Sequence, residues 1–302
     1  MKKLFAMLLA ASMMMSLCAC GSKTEEPAPA PAPEAPSTSE PAPAPEVPAE
    51  PALETVTEGK LTVATSPDFA PYEFYAIAED GTPSLAGFDV ALAGYIADHM
   101  GLELEIVPMD FDGVLMELAT KKVDLGLAGL SPDPDREDAM DFSDIYYEGG
   151  QSFVTVTGNK DKFTSLDDVN KADISVGAQI ASIQMELAEQ YSADADIIPL
   201  VKVTDIIAEL LTGKLDGAYI ETAVAESYKT NYPELEIVLD VPYDVAGSAV
   251  GVQEGNTALM EAVNAAIADA IADGSMANFI AEAGELASGT TGILVDGEIV
   301  IG

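Results

Sequence analysis

Few residues of this chain are equipped for chemistry. There is one histidine, His99, so a His-rich metal site is excluded and any His-dependent catalytic dyad would rest on that residue. The two cysteines, Cys18 and Cys20, both fall within the first twenty residues, in Leu17-Cys18-Ala19-Cys20-Gly21. Carboxylates are plentiful, 52 Asp and Glu, so acid–base candidates such as Glu73 and Glu221 depend on where the fold puts them. Cationic groups are scarce, 13 Lys and Arg. Arg136, within Asp133-Pro134-Asp135-Arg136-Glu137, offers a planar fork suited to a carboxylate. It can equally make a surface ion pair with Asp133, Asp135 or Glu137.

The formal charge of 13 − 52 = −39 argues against nucleic acid and against docking on anionic lipid. A length of 302 residues with 48% hydrophobic residues is enough for two domains with a real core. Met1-Lys2-Lys3 followed by the apolar run Leu4 to Leu17 reads as a signal peptide over 1–19, too short for a permanent membrane helix. Leu17 at −3, Ala19 at −1 and then Cys20 looks like a bacterial lipobox, which would leave Cys20 acylated at the mature N-terminus. The alternative is an ordinary signal peptide with a stray cysteine. Loss of Lys2 and Lys3 would bring the mature charge to 11 − 52 = −41, without a free thiol or a disulfide. Residues 20–58 read as a tether. Ten prolines lie between Pro27 and Pro51, and such a Pro-Ala-Glu stretch favours extended polyproline II over a packed core. Without basic flanks it is a poor Pro-rich docking motif.

From Lys60 the pattern changes. Leu61–Thr65 reads as a strand. Phe88, Leu92, Ile96 and Met100 recur every fourth residue, predicting a helix over Phe88–Met100 closed by Gly101. Strands at Leu104–Val107 and Leu125–Leu127 bracket a helix at Val114–Thr120. This alternation predicts a mainly parallel α/β sheet, whose ligands bind at the carboxyl ends of its strands. Glu117 to Asp124 resembles Glu209 to Asp216, each closing a helix and entering a short strand, and Asp173–Ala178 opens a second lobe as Leu61–Thr65 opens the first. Chance likeness of two helix–strand junctions would look the same. Two lobes of this size place a ligand in the cleft between them.

Several segments resemble one family in order and spacing. They are Ser66-Pro67-Asp68-Phe69-Ala70-Pro71-Tyr72-Glu73-Phe74, Gly87-Phe88-Asp89-Val90, Asp110-Phe111-Asp112-Gly113, Ala128 to Pro132 with Arg136, Asp141-Phe142-Ser143-Asp144 and Tyr146-Tyr147. The family is the polar amino-acid-binding proteins of ABC importers, extracellular solute-binding proteins of family 3, and the likeness runs from about Gly59 to Ala283. It implies an α/β, two-lobed periplasmic-binding-protein fold of type II (Venus flytrap). Each lobe is then a mainly parallel sheet flanked by helices, with lobe 1 at 59–155 and 246–302 and lobe 2 at 156–245. Two hinge strands are expected near Ser152–Thr157 and Val241–Val250, with Gly158 and Gly247 absorbing rotation.

The resemblance also implies the site. Arg136 would clamp a ligand carboxylate, assisted by Gly129, which admits close backbone approach, and by Ser131 as donor. The N–H groups of Ser182 and Ile183, ahead of a helix from Gln184, would complete that site on closure. The family usually has Gly and then a Ser/Thr pair where this chain has Ala181, Ser182 and Ile183. Glu221 stands where an Asp usually holds the ligand amine. It is longer by one methylene, and an exposed acid is the alternative. Phe69 and Phe111 would sandwich the ligand side chain, core packing being the other fate of a Phe. Tyr72 and Glu73 are expected at the rim. The implied partners are a free amino acid, an ABC permease and, through Cys20, the outer face of a membrane. The protein would be a monomer without cofactor or metal. An enzyme of dehydratase type, with Glu221 or Glu73 as acid or base, and a ligand-sensing protein are the alternatives. Residues 288–302 depart from the family ending and read as an Asp-Gly hairpin.

Overall fold

The computed structural model describes residues 53–244, 247–295 and 298–301. The signal peptide, Cys20 and the tether up to residue 52 lie outside the described residues. In the strand Lys60–Thr65, side chains alternate between two faces. Leu61 and Val63 join Phe88, Leu92, Ile96, Leu259 and Val263, while Ala64 joins Phe111, Val114 and Leu118. The first sheet is thus covered on both faces, by helices Phe88–Met100 and Thr257–Ala272 on one and Phe111–Ala119 on the other. The first of these helices ends where Gly101 turns left-handed (φ 67°) and returns its N–H to the Ala97 and Asp98 carbonyls.

This sheet has the order Glu103–Pro108, Lys60–Thr65, Leu125–Gly126, Ser248–Gln253, Met140–Tyr147. Four strands run one way and only Ser248–Gln253 runs against them. The second sheet repeats the plan as Asp196–Leu200, Ser175–Gln179, Gly217–Glu221, Gln151–Val156, Leu235–Val241, with Gln151–Val156 reversed. Tyr219 packs with Phe153, Val176 and Leu187 on one face, and Ala218 and Ile220 with Ile206, Leu210 and Val224 on the other. The mainly parallel expectation holds for both lobes.

The reversed strand of each sheet is the one that has just crossed between the lobes. Gln151–Val156, expected as a hinge strand, pairs with Gly217–Glu221 and Leu235–Val241 inside the second sheet. Sheet membership therefore starts lobe 2 at Gln151 rather than residue 156, and the first crossing is Glu148-Gly149-Gly150. Gly158 lies beyond it, in the turn that follows the strand. The second crossing lies between Val241 and Ser248, with residues 245–246 outside the described residues. Gly247 is there, with φ 142° and its N–H donated to the Tyr243 hydroxyl at 2.9 Å. The expected tail hairpin forms from Thr291–Val295 and Glu298–Ile301, its turn residues lying outside the described residues. It extends a small third sheet by pairing with Glu73–Ile77.

Candidate functional site

The carboxyl ends of the parallel strands of both sheets face each other across the lobes, and the functional side chains come from the loops that leave them. In lobe 1, Lys60–Thr65 runs into the Ser66–Tyr72 loop, and Leu125–Gly126 into the loop that ends in the short 3-10 turn Pro134–Arg136. In lobe 2, Ser175–Gln179 leads to the helix Ile183–Tyr191 and Gly217–Glu221 to the helix Thr222–Asn231.

Arg136, the only arginine of the chain, bridges the lobes. Its side chain is 11% exposed, its Nη2 donates to the Ala181 carbonyl at 3.0 Å and lies 3.8 Å from Glu186, and its Nε lies 3.6 Å from Asp133. Burial lowers its pKa, and Asp133 and Glu186 oppose that shift. The guanidinium therefore has acceptors from both lobes, and the expected ion pair with Asp133 forms at a position that is largely buried rather than on the surface. The acceptors it holds, a carbonyl and two carboxylates, are of the kind a ligand carboxylate would replace.

Ala181 is strained. It sits at φ 60°, the left-handed region that costs an L-residue about 1–2 kcal/mol. Ser182 caps the helix, its hydroxyl donating to the Gln179 carbonyl at 2.7 Å and accepting from the Met185 N–H at 3.3 Å. The helix begins at Ile183, one residue before the expected start, and Ile183 lines a groove of about 290 Å³ with Pro132, Asp133, Glu186, Tyr191 and Tyr243. Relief of the strain gives a clean expectation. Ala181→Gly should raise the melting temperature by a few degrees, about 0.5–1 kcal/mol net of the entropy glycine brings to the unfolded chain. A lower melting temperature would contradict the strain assignment.

Gly129 needs to be glycine twice over. Its φ is +57°, and a Cβ there would stand 2.7 Å from the Phe69 ring. Its N–H donates to the buried Asp89 carboxylate at 3.0 Å, which fixes the loop carrying Ser131, itself buried. Phe69 packs on Tyr72 at 5.2 Å, whereas Phe111 belongs to a separate cluster with Val114, Leu118, Ala128 and Leu130. Both rings are over nine-tenths buried, and each packs around the Gly129 loop.

Glu221 ends its strand and caps the helix Thr222–Asn231, Oε2 accepting from the Val224 N–H at 2.9 Å. It is 4% exposed, so the exposed-acid alternative is overturned. Its Oε1 is buried without a hydrogen-bond partner and lies beside Gly149 and the Tyr72 hydroxyl. Burial pushes this carboxyl up to about 7, against the opposing pull of the Val224 and Gly150 amides and the Tyr72 hydroxyl. Glu221 borders a cavity of about 480 Å³ at the two lobe crossings, with Tyr147, Gly149, Gly150, Thr222 and Tyr243.

Tyr72 and Glu73 are not at the rim. Both are 0% exposed. Glu73 enters a strand whose inward face it occupies, and neither of its carboxyl oxygens has a hydrogen-bond partner. Burial, then Asp89 and Asp68, raise its pKa well above the usual carboxylate range. His99 lies on the outer helices, 3.1 Å from Asp269 and stacked near Tyr95, away from the cleft loops. Among the described residues no cluster of His, Cys, Asp or Glu could hold a metal ion. Asp68, absent from the expected set, makes a further lobe-to-lobe contact. It went unnoticed because its partner, the Val203 N–H, is 135 residues away.

The model of the bacterial extracellular solute-binding proteins, family 3, matches residues 61–283. The chain belongs to this family. Family membership accounts for both lobes and leaves the third-sheet hairpin as an addition beyond its match. Among relatives of this solute-binding protein is the "Arginine-binding extracellular protein ArtP" of Bacillus subtilis, 34% identical over 196 residues, covering 63% of this chain and 73% of the relative. The "Cyclohexadienyl dehydratase" of Pseudomonas aeruginosa is 26% identical over 202 residues, covering 66% of this chain and 74% of the enzyme. A solved structure of the substrate-binding protein AbpA of an amino acid ABC transporter from Streptococcus pneumoniae, bound to L-arginine, superposes with a TM-score of 0.73. It is 32% identical and the match covers 76% of this chain and 96% of that one. No helix among the described residues of the solute-binding protein is long and apolar enough to cross a membrane.

Proposed function

We propose that this solute-binding protein captures a free L-amino acid between its lobes and delivers it to an ABC permease, arginine being the first ligand to test. The observation that carries the reading is Arg136, buried between the lobes and held by acceptors from both. A ligand carboxylate would take the place of Glu186 and the Ala181 carbonyl on the guanidinium, and closing would surround it with donors from lobe 2. Glu221 would take the amine, its unpartnered Oε1 gaining the donor it lacks. The ligand leaves unchanged, as no step of capture needs a bond broken. Anchoring through Cys20 on the outer face of the membrane fits this task and remains part of the proposal, as does a monomeric state.

The ligand-stripped chain, screened by thermal shift against L-amino acids, small peptides and sugars, tests the reading. A ligand at a hundred times its Kd should add about 2.7 kcal/mol of stability. A response to sugars alone would overturn it. The amine contact has its own signature. Because Glu221 must give up its proton to meet a cation, affinity should weaken as pH falls below about 7, by as much as about tenfold per pH unit. Glu221→Gln should remove that slope, and an unchanged slope would remove Glu221 from the amine site.

One observation favours a second reading. A buried carboxyl at about 7 is half protonated at neutral pH and is suited to protonate a leaving hydroxyl, and one relative is named as a dehydratase. Incubation with a cyclohexadienyl substrate, followed by aromatic absorbance, separates the two. Turnover lost in Glu221→Gln would make this chain an enzyme.

A further inference from the structure

At the N-terminus of the lobe 2 helix Val203–Leu211 the capping position is held by Lys202, whose side chain makes no cap hydrogen bond. The acceptor comes from the other lobe. Asp68 Oδ2 takes the Val203 N–H at 2.6 Å. The carboxylate is held in place before it gets there. Its Oδ1 accepts from the Ser66 hydroxyl at 3.1 Å, its own N–H donates to the Ser66 carbonyl at 2.8 Å, and Asp68-Phe69 is paired with Glu73-Phe74. The Tyr228 hydroxyl of lobe 2 donates to the Asp68 carbonyl at 2.9 Å, so lobe 2 grips the residue twice. Beside them Lys202 lies 3.6 Å from Asp110 of lobe 1. Asp68 is 8% exposed.

We propose that Asp68 is the latch of the closed form, a helix cap that one lobe supplies to the other and that exists only when they meet. A carboxylate at a helix N-terminus satisfies an orphan amide and the positive end of the helix dipole together. On opening, the Val203 amide and the Asp68 carboxylate must both turn to water. The latch adds to closure without touching the ligand, so it slows ligand release and holds part of the ligand-free population closed. Arg136 closes the cleft where the ligand is expected to bind. Asp68 closes it at a place that loading leaves unchanged.

The test compares Asp68→Ala, Asp68→Asn and Tyr228→Phe in the full chain. Small-angle scattering without ligand reads closure, and stopped-flow release of L-arginine reads the latch under load. Asp68→Ala should enlarge the ligand-free radius of gyration and speed release by at least about tenfold with little change in association rate. Asp68→Asn should fall between it and the parent, because Asn caps nearly as well as Asp. Tyr228→Phe removes one of the two grips, leaves the ring packed and should shift both readouts the same way by less. If Asp68→Ala does not fold, the Asn and Phe variants decide. A folded Asp68→Ala with parental scattering, or no shift in either remaining variant, overturns the latch. The release measurement rests on the proposed amino-acid ligand and the scattering does not, so a chain that binds no amino acid still tests closure.

Discussion

Arg136→Ala is expected to weaken amino-acid binding by about a hundredfold or more. Truncating one partner of a buried, hydrogen-bonded charge pair costs about 2–5 kcal/mol, and no second arginine is available to substitute. Arg136→Lys keeps the charge but loses the planar fork, and a point charge cannot hold both oxygens of a carboxylate in two parallel bonds. It should fall between parent and alanine. The alanine variant also leaves Asp133 Oδ2, buried without a hydrogen bond, deprived of its nearest cation. A modest loss of stability should therefore accompany the loss of affinity. Calorimetric titration beside a melting curve separates the two. Parental affinity in folded Arg136→Ala would remove this residue from the carboxylate site.

The second large effect is on stability, which should fall as pH rises from about 4 to about 7. Among the described residues, five buried acids have raised pKa values: Asp68 and Asp89, each pushed up to about 6 by burial, Glu221 pushed up to about 7, Glu73, raised well above its ordinary value, and Asp124, raised by burial against the Thr62 and Val56 amides. Each binds its proton more tightly folded than unfolded. The stability they contribute is complete below their unfolded pKa values and is lost as pH climbs through the folded ones. For Asp68, moving from 3.8 to about 6 corresponds to about 3 kcal/mol. Glu73 and Asp89 are neighbours and will not add fully. Surface acids whose pKa values are lowered, among them the exposed Asp80 and the half-buried Asp168 and Glu236, pull the other way but are partly screened by solvent. The melting temperature should be roughly 10 °C higher at pH 5 than at pH 8. Glu73→Gln, which keeps the shape and removes the charge, should flatten the profile and stabilise at pH 8. A melting temperature that rises from pH 5 to pH 8 would contradict this.

The scaffold was legible because its signals are local. A four-residue apolar spacing from Phe88 to Met100 and an alternating Leu61–Thr65 each name an element without reference to the rest of the chain. Arg136, Gly129 and Phe69 stand in short segments whose order carries the likeness, and all three lie on the loops that leave the lobe 1 strands. What stayed hidden depends on distant partners. Glu73 is an acid in a strand, and residue type alone suggests water. Only the packing of Phe88–Met100, with Asp89 beneath it, shows it to be interior. The Asp68 contact needs lobe 2 in place. The lobe boundary is hard to read because the run Gln151–Val156 looks alike as a crossing strand or an interior one, and only its pairing on both edges decides. The left-handed Ala181 had one sequence signal, standing where the family usually has glycine, and its strain needed the backbone.

The cleft is expected to take a free amino acid. The most direct measurement is calorimetric titration of the chain, stripped of any carried ligand by mild unfolding and refolding, with L-arginine and then with neutral and acidic L-amino acids. Saturable one-to-one binding of at least one of them, lost in Arg136→Ala, is the predicted result. A folded, stripped protein that releases no heat and shows no stabilisation with any amino acid would contradict it.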